Sequence, residues 1–196
     1  MLAYVFWHWR QPHVDQREYE SRQRRFHDAL AGEPPAGFEH SVSVTVRGAS
    51  WANDGNEAYE DWYLVRDSAA LDSLDEGAVS AGRRMPHDAA ASVAAGGTAG
   101  LYKARVGEPT RTPRFAHWFD KPAGMSYEQL FATVQPLVRT KDGGSLWVRK
   151  MVLGPTPEMC LQTVEPVTLP AAFTPIVIEL RQVYPASERK QQRSGA

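Results

Sequence analysis

Phe6-Trp7-His8-Trp9 and Phe115-Ala116-His117-Trp118 share the pattern Phe-x-His-Trp, 109 residues apart, and the fold is read outward from this pair. Each copy is followed within a few residues by a proline, Pro12 or Pro122. A segment containing Tyr-Glu comes next, Tyr19-Glu20 in one copy and Tyr127-Glu128 in the other. One order of strand, proline turn and helix, met twice, reads as a degenerate internal duplication.

Residues 2–9 are aromatic and β-branched and stop at Gln11-Pro12, which predicts a strand. Its period of two puts Tyr4, Phe6 and His8 on one face and Val5, Trp7 and Trp9 on the other. Neither face is polar, so the strand belongs in the middle of a sheet. Residues 14–31 read as a helix with Asp15 as N-cap and Glu18 three positions on, its apolar stripe formed by Tyr19, Phe26 and Leu30. Residues 38–47 alternate without a break, with Phe38, His40, Val42, Val44 and Val46 on one side. The next strand, 59–66, sets Tyr59, Asp61 and Tyr63 on a common face.

Asp67-Ser68 caps a second helix that turns Leu71, Leu74 and Ala78 inward. Pro86 predicts a break near Arg84-Met85 and a short helix over 86–95, stopped by Gly96-Gly97 ahead of a strand over 100–106. The first half thus reads β-α-β-β-α-β, the ferredoxin-like order. After a linker at 107–114, the second half offers a strand at 115–119 and a helix at 126–138, disturbed by Pro136. A strand at 146–153, a proline-punctuated loop at 156–170 and a last strand at 175–183 follow. A second helix and fourth strand are missing from this copy. The fold class is therefore α+β: tandem ferredoxin-like repeats over 1–108 and 109–185, the second shortened, then a disordered tail at 186–196.

A net charge of −1 supplies no field to draw in nucleic acid or anionic lipid, so Arg22-Gln23-Arg24-Arg25 and Arg83-Arg84 read as solvated helix faces. One cysteine, Cys160, excludes an internal disulfide and a multi-thiolate zinc site, and suits a reducing, cytoplasmic setting. No apolar run approaches the roughly 18 residues of a membrane span. No metal-ligand cluster is visible, since His8 and His13 are separated by a strand end and Pro12.

The strand–helix order, with the second helix broken before Pro86-His87, resembles the dimeric α+β barrel superfamily. That group includes antibiotic-biosynthesis monooxygenase-like and EthD-like proteins, several of which carry a proline-histidine step at this place. The resemblance implies two ferredoxin-like sheets packed into one barrel, here both from a single chain. It covers residues 2–108 well and 115–183 in part. The shortened second copy departs from the pattern. It predicts an open sheet edge that a second subunit, in a homodimer, would cover.

If the halves are related by a pseudo-twofold axis, His8 and His117 point into one aromatic-walled cavity, where two imidazoles serve as acid and base. Asp61 is the candidate orienter, Tyr63 a hydrogen-bond donor and His87 a residue at the cavity mouth. No cofactor is expected. Haem is the alternative, because some relatives with this fold bind it and His8, His87 or His117 would supply the axial ligand. Three functions stay open on this reading. One is a cofactor-independent oxygenase, isomerase or cyclase acting on a small apolar or aromatic molecule. The second is a carrier of such a molecule. The third is a structural barrel filled by its own six tryptophans and seven tyrosines.

Overall fold

The computed structural model describes residues 1–138, 143–150 and 156–186. Its first half contains β1 (Leu2–Arg10), α1 (Gln16–Gly32), β2 (Phe38–Val46) and β3 (Ala58–Val65), followed by α2 (Ala69–Ala78), α3 (Arg84–Ala91) and β4 (Ala94–Glu108). The second half contains β5 (Phe115–Phe119), α4 (Tyr127–Val138), β6 (Gly144–Arg149), β7 (Met159–Thr163), β8 (Ile176–Glu179) and β9 (Arg181–Tyr184). These strands join one sheet in the order β8-β5-β7-β6-β4-β1-β3-β2-β9, and every neighbouring pair is antiparallel. β1 lies in the interior of the sheet, as its two apolar faces require.

The two edge strands, β8 and β9, are separated in sequence by Leu180 alone. Consecutive Cα atoms lie about 3.8 Å apart, so opposite edges of the sheet must meet at that residue. The sheet is therefore an almost closed α+β barrel made by one chain. Leu180 N–H donates to the Arg114 carbonyl at 2.7 Å, and Arg181 reaches the Glu20 carboxylate of α1 at 2.5 Å, which pins the closing segment. One expectation is corrected here: the single strand at 175–183 is two strands serving opposite edges of the sheet.

Bulky rings settle which face of each strand turns inward. Trp7 of β1, Trp62 of β3, Tyr102 of β4, Trp118 of β5 and Trp147 of β6 share one buried cluster. Trp7 and Trp118 touch at 5.6 Å and Trp62 and Trp147 at 5.2 Å between ring centres. Contact between strands so far apart in the sheet order is possible only because the sheet is curled. The rings that fill the barrel bring a large apolar area each, of order 150–250 Å². Helices cover the outside: α1, α2 and α3 pack Phe26, Leu30, Leu74 and Ala90 against the first half, and α4 packs Leu130, Val134 and Val138 against the second.

Local chemistry explains the other departures from expectation. Asp15 caps α1 by accepting from Arg17 N–H at 2.8 Å and Glu18 N–H at 3.3 Å. Gly96-Gly97 does not stop a helix: α3 already ends at Ala91, and both glycines lie inside β4, paired with Trp9 and His8. A Cβ on Gly96 would sit 2.6 Å from Trp9 Cζ2, and one on Gly97 would collide with the Phe6 ring, so the neighbouring strand's aromatics demand glycine there. Met159–Thr163, read as loop, is β7, an interior strand between β5 and β6 with every residue buried. Of the expected strand at 146–153, β6 accounts for the part to Arg149; residues 151–153, like the tail beyond 186, lie outside the described residues. Pro136 is accommodated inside α4.

Candidate functional site

Alternation along β3 divides two adjacent carboxylates between the two faces of the sheet. Glu60 points into the barrel and Asp61 points out, towards α1. Three elements meet over Asp61. β1 supplies His8, β2 supplies Ser41, and α1 supplies Tyr19, Gln23 and His27, which stand on one helical face at spacings of four.

Asp61 Oδ2 lies 3.0 Å from His8 Nε2 and 3.2 Å from His27 Nε2, and it accepts the Tyr63 hydroxyl at 2.9 Å. Each imidazole is held from its other side. His8 Nδ1 is 2.5 Å from the Tyr19 hydroxyl, and His27 Nδ1 is 2.7 Å from the Ser41 hydroxyl. On the Asp61 side the two Nε2 atoms are within ion-pair distance of Oδ2 but are not aligned as hydrogen bonds. The rings are also fixed by stacking: His8 lies near-parallel to Tyr59, and His27 is sandwiched between Tyr63 and Tyr184. Asp61 Oδ1 has no hydrogen-bond partner among the described residues, although the residue is only 1% exposed.

Burial alone would raise the Asp61 pKa, but the two imidazoles beside it hold the carboxyl well below its ordinary range. Burial and the Asp61 charge together push the Tyr63 phenol well above its usual value. Burial, again with a contribution from Asp61, raises Tyr19. The site is thus an ionised carboxylate with one oxygen hydrogen-bonded by Tyr63 and flanked by two imidazoles, and with its phenols kept protonated.

Asp61, His8 and Tyr63 form part of the wall of a pocket of about 550 Å³ between α1–α3 and the outer face of β1, β3 and β4. Phe6, Phe26, Leu30, Leu71, Leu74 and Leu101 make most of the rest apolar. His87 stands in the wall from α3, its Nδ1 3.0 Å from Asp88 Oδ1 and its ring edge-on to Phe26. The cavity is therefore outside the barrel, in the helix–sheet layer, whereas the barrel interior holds the tryptophans.

Four of the five residues singled out from sequence, His8, Asp61, Tyr63 and His87, come together at this pocket. His117 does not. It faces outward from β5, opposite Trp118, which took the interior position. β5 lies four places from β1 in the sheet, and His117 is absent from the pocket wall. Both its ring nitrogens are buried without partners among the described residues, and burial lowers its pKa. The expected His8–His117 acid–base pair in a barrel cavity is therefore corrected: the second imidazole beside Asp61 is His27. His27, Tyr19 and Ser41 escaped the sequence reading as site residues. The signal was present in the spacing Tyr19–Gln23–His27, adjacent to the apolar stripe.

For haem, His8 and His27 have Nδ1 on a hydroxyl and Nε2 beside Asp61, and His87 has its Nδ1 on Asp88; the wall carries Asp61, Asp72 and Asp75 but, among the described residues, no lysine or arginine to meet two propionates. Among the described residues, no group of three or more His, Cys, Asp or Glu side chains is arranged to hold a metal ion, and no helix is long and apolar enough to cross a membrane.

No family model matches the chain, and no curated protein matches it. Among solved structures, the chain is similar to a protein provisionally described as a chlorite dismutase, at 9% identity and a TM-score of 0.48, over 93% of this chain and 95% of that one. It is also similar to chlorite dismutase from Candidatus Nitrospira defluvii in complex with imidazole, at 11% identity and a TM-score of 0.34, over 83% and 77% of the two chains. Likenesses this distant carry no information about the chemistry of the pocket.

Proposed function

We propose that this chain is a small-molecule enzyme of the α+β barrel type, working in the helix–sheet pocket by proton transfer, with an isomerase or cyclase reaction as its class. The observation that carries the reading is the placement of His8 and Asp61 in the wall of a mostly apolar cavity of about 550 Å³. Cavities of a few hundred Å³ with few, converging polar groups are the usual form of a site for a small organic molecule. His8 is the proton carrier, because an imidazole changes charge near neutral pH. Asp61 orients it and stabilises its charged form, as an ionised carboxylate beside an imidazole does in other acid–base sites. Tyr63 holds Asp61 in place, and His87 closes the wall on the α3 side. A cytoplasmic setting, suited to the buried free thiol of Cys160, belongs to the same proposal.

One observation favours a second reading, a non-catalytic carrier. Every ring nitrogen of His8 and His27 already faces a protein partner, so a substrate must displace Tyr19 to reach His8 Nδ1. Incubating the protein in D₂O with the small-molecule extract of its host separates the two. The enzyme reading expects a pocket-bound molecule that gains deuterium with wild type and not with His8→Gln. A molecule that binds and is returned unlabelled by both proteins contradicts catalysis and leaves the carrier.

A further inference from the structure

Among the imidazoles around the pocket, one is open to what the cavity holds. His8 and His27 have Nδ1 on the Tyr19 and Ser41 hydroxyls, and their Nε2 atoms are sealed from solvent beside Asp61. His87 differs. It lines the cavity from α3, where His87, Ala90 and Ala91 share one helical face at spacings of three and four. Its side chain is 33% exposed, and its ring stands edge-on to Phe26 of the same wall. His87 Nδ1 lies 3.0 Å from Asp88 Oδ1, and Asp88 Oδ2 is in turn 3.7 Å from Arg84 Nε. Nε2 has no hydrogen-bond or ion-pair partner among the described residues and, unlike its counterparts on His8 and His27, is not sealed from solvent. Donation of Nδ1–H to Asp88 selects the tautomer in which Nε2 carries the lone pair, the form that takes up a proton. Around it the wall is made mostly of apolar side chains, Phe6, Phe26, Leu71 and Leu74 among them, and no lysine or arginine among the described residues is there to hold an anion.

We infer that His87 is a further catalytic residue of this pocket: its Nε2 takes a proton from an activated C–H bond of a neutral, flat, largely apolar substrate lying against Phe26. This deepens the reading of the pocket as a proton-transfer site and rests on it. An isomerisation removes a proton at one atom and returns one at another, so it employs two such groups. His87 on the helix wall serves beside His8 on the sheet wall. Asp88 is the positioning residue, holding the ring by its other nitrogen.

The test uses 5-nitrobenzisoxazole, a neutral, flat aromatic that opens when a base removes its one isoxazole C–H proton. The C–H electron pair becomes part of a nitrile, the N–O bond breaks, and the oxygen leaves as a coloured phenolate, so no cofactor or second reactant is needed. The full chain should open it with saturation, and His87→Ala should lose about 100-fold in kcat/KM, the worth of one positioned general base. Free imidazole added to His87→Ala should restore turnover, which the loss of a merely structural side chain does not allow. The double variant Asp72→Asn/Asp75→Asn, which removes two exposed carboxylates of the same wall, should stay near wild type. Unchanged saturable turnover in His87→Ala, a loss that imidazole leaves unrestored, or a loss in the aspartate variant in its place overturns His87 and leaves the pocket as a small-molecule site. Wild-type turnover that does not saturate, or that is no faster than with free imidazole at the same concentration, overturns both.

Discussion

Glu60 and Asp61 are consecutive residues of β3 whose carboxyl groups are driven in opposite directions by the two faces of one sheet. Glu60, wholly buried among the barrel's rings, receives the indole N–H groups of Trp7 at 2.7 Å and Trp62 at 2.6 Å. Burial outweighs those bonds and pushes its pKa up to about 7. Asp61, as deeply buried, faces two imidazoles that outweigh burial and hold it ionised. One carboxyl thus serves the packing of the barrel, and the other charges the wall of the pocket.

The two carboxyls leave opposite marks on the pH dependence of stability. Glu60 titrates higher in the fold than its ordinary 4.5, so its contribution is fully present below that value and is lost as pH rises towards about 7. Urea unfolding of wild type and Glu60→Gln at intervals from pH 4.5 to 8 should show this decline in wild type only. Parallel curves would contradict the burial argument.

Asp61 carries the other sign. Its pKa in the fold is lowered, so its contribution is present above the ordinary 3.8 and is lost as pH falls below it. Asp61→Asn should remove this acid-side loss and lower stability near neutral pH by about 1–3 kcal/mol, because the Tyr63 hydroxyl and the two flanking imidazoles lose their charged partner. Chemical denaturation at pH 7 and the acid limb of a melting series report the two effects separately.

The histidines should separate cleanly. His117 has no partner for either nitrogen among the described residues, so His117→Leu removes buried unpaired polar atoms and should leave stability unchanged or raise it by up to about 1–2 kcal/mol, with pocket binding intact. His8→Leu strips Asp61 and Tyr19 of a partner each and should cost about 2–4 kcal/mol. Equal costs at the two sites, measured by urea unfolding, would contradict the assignment of His117 to packing.

Gly97 is tied to the pocket through Phe6. A methyl group there meets the Phe6 ring, which lines the cavity and cannot retreat into β4. Gly97→Ala should cost about 1–3 kcal/mol as an overpacking change and narrow the pocket. Thermal melts, together with weakened binding of a neutral fluorescent dye, check both consequences.

The sequence made visible those elements whose periodicity one face controls. β2 announced itself by alternation, true from His40 to Val46 although a register shift between Phe38 and His40 turns Phe38 to the helix side, and α1 by the stripe of Tyr19, Phe26 and Leu30. β7 did not, because Met-Cys-Leu-Gln-Thr is buried on both faces, is short and lies between prolines, so no alternation marks it. The division of the last strand at Leu180 depends on closure of the whole sheet, which no local pattern encodes. In the site, Asp61 and Tyr63 could be paired from strand alternation, since two residues suffice to see a shared face. The partnership of His8 with His27 instead of His117 turns on which rings occupy the barrel. That is decided by packing Trp7 and Trp118 against each other across strands far apart in the sheet. Gly96-Gly97 misled for a related reason: the residues that require glycine there, Trp9 and Phe6, stand on another strand.

Native mass spectrometry of the protein purified from its own host, wild type beside Ala91→Trp, tests the placement of the site most directly. Ala91 lines the pocket from α3 and is exposed, so a tryptophan there fills the cavity without burdening the core. A small molecule should be retained by wild type and lost from Ala91→Trp. A wild-type protein that arrives empty, or a bound molecule that survives in Ala91→Trp, would contradict a functional site between the helices and the sheet.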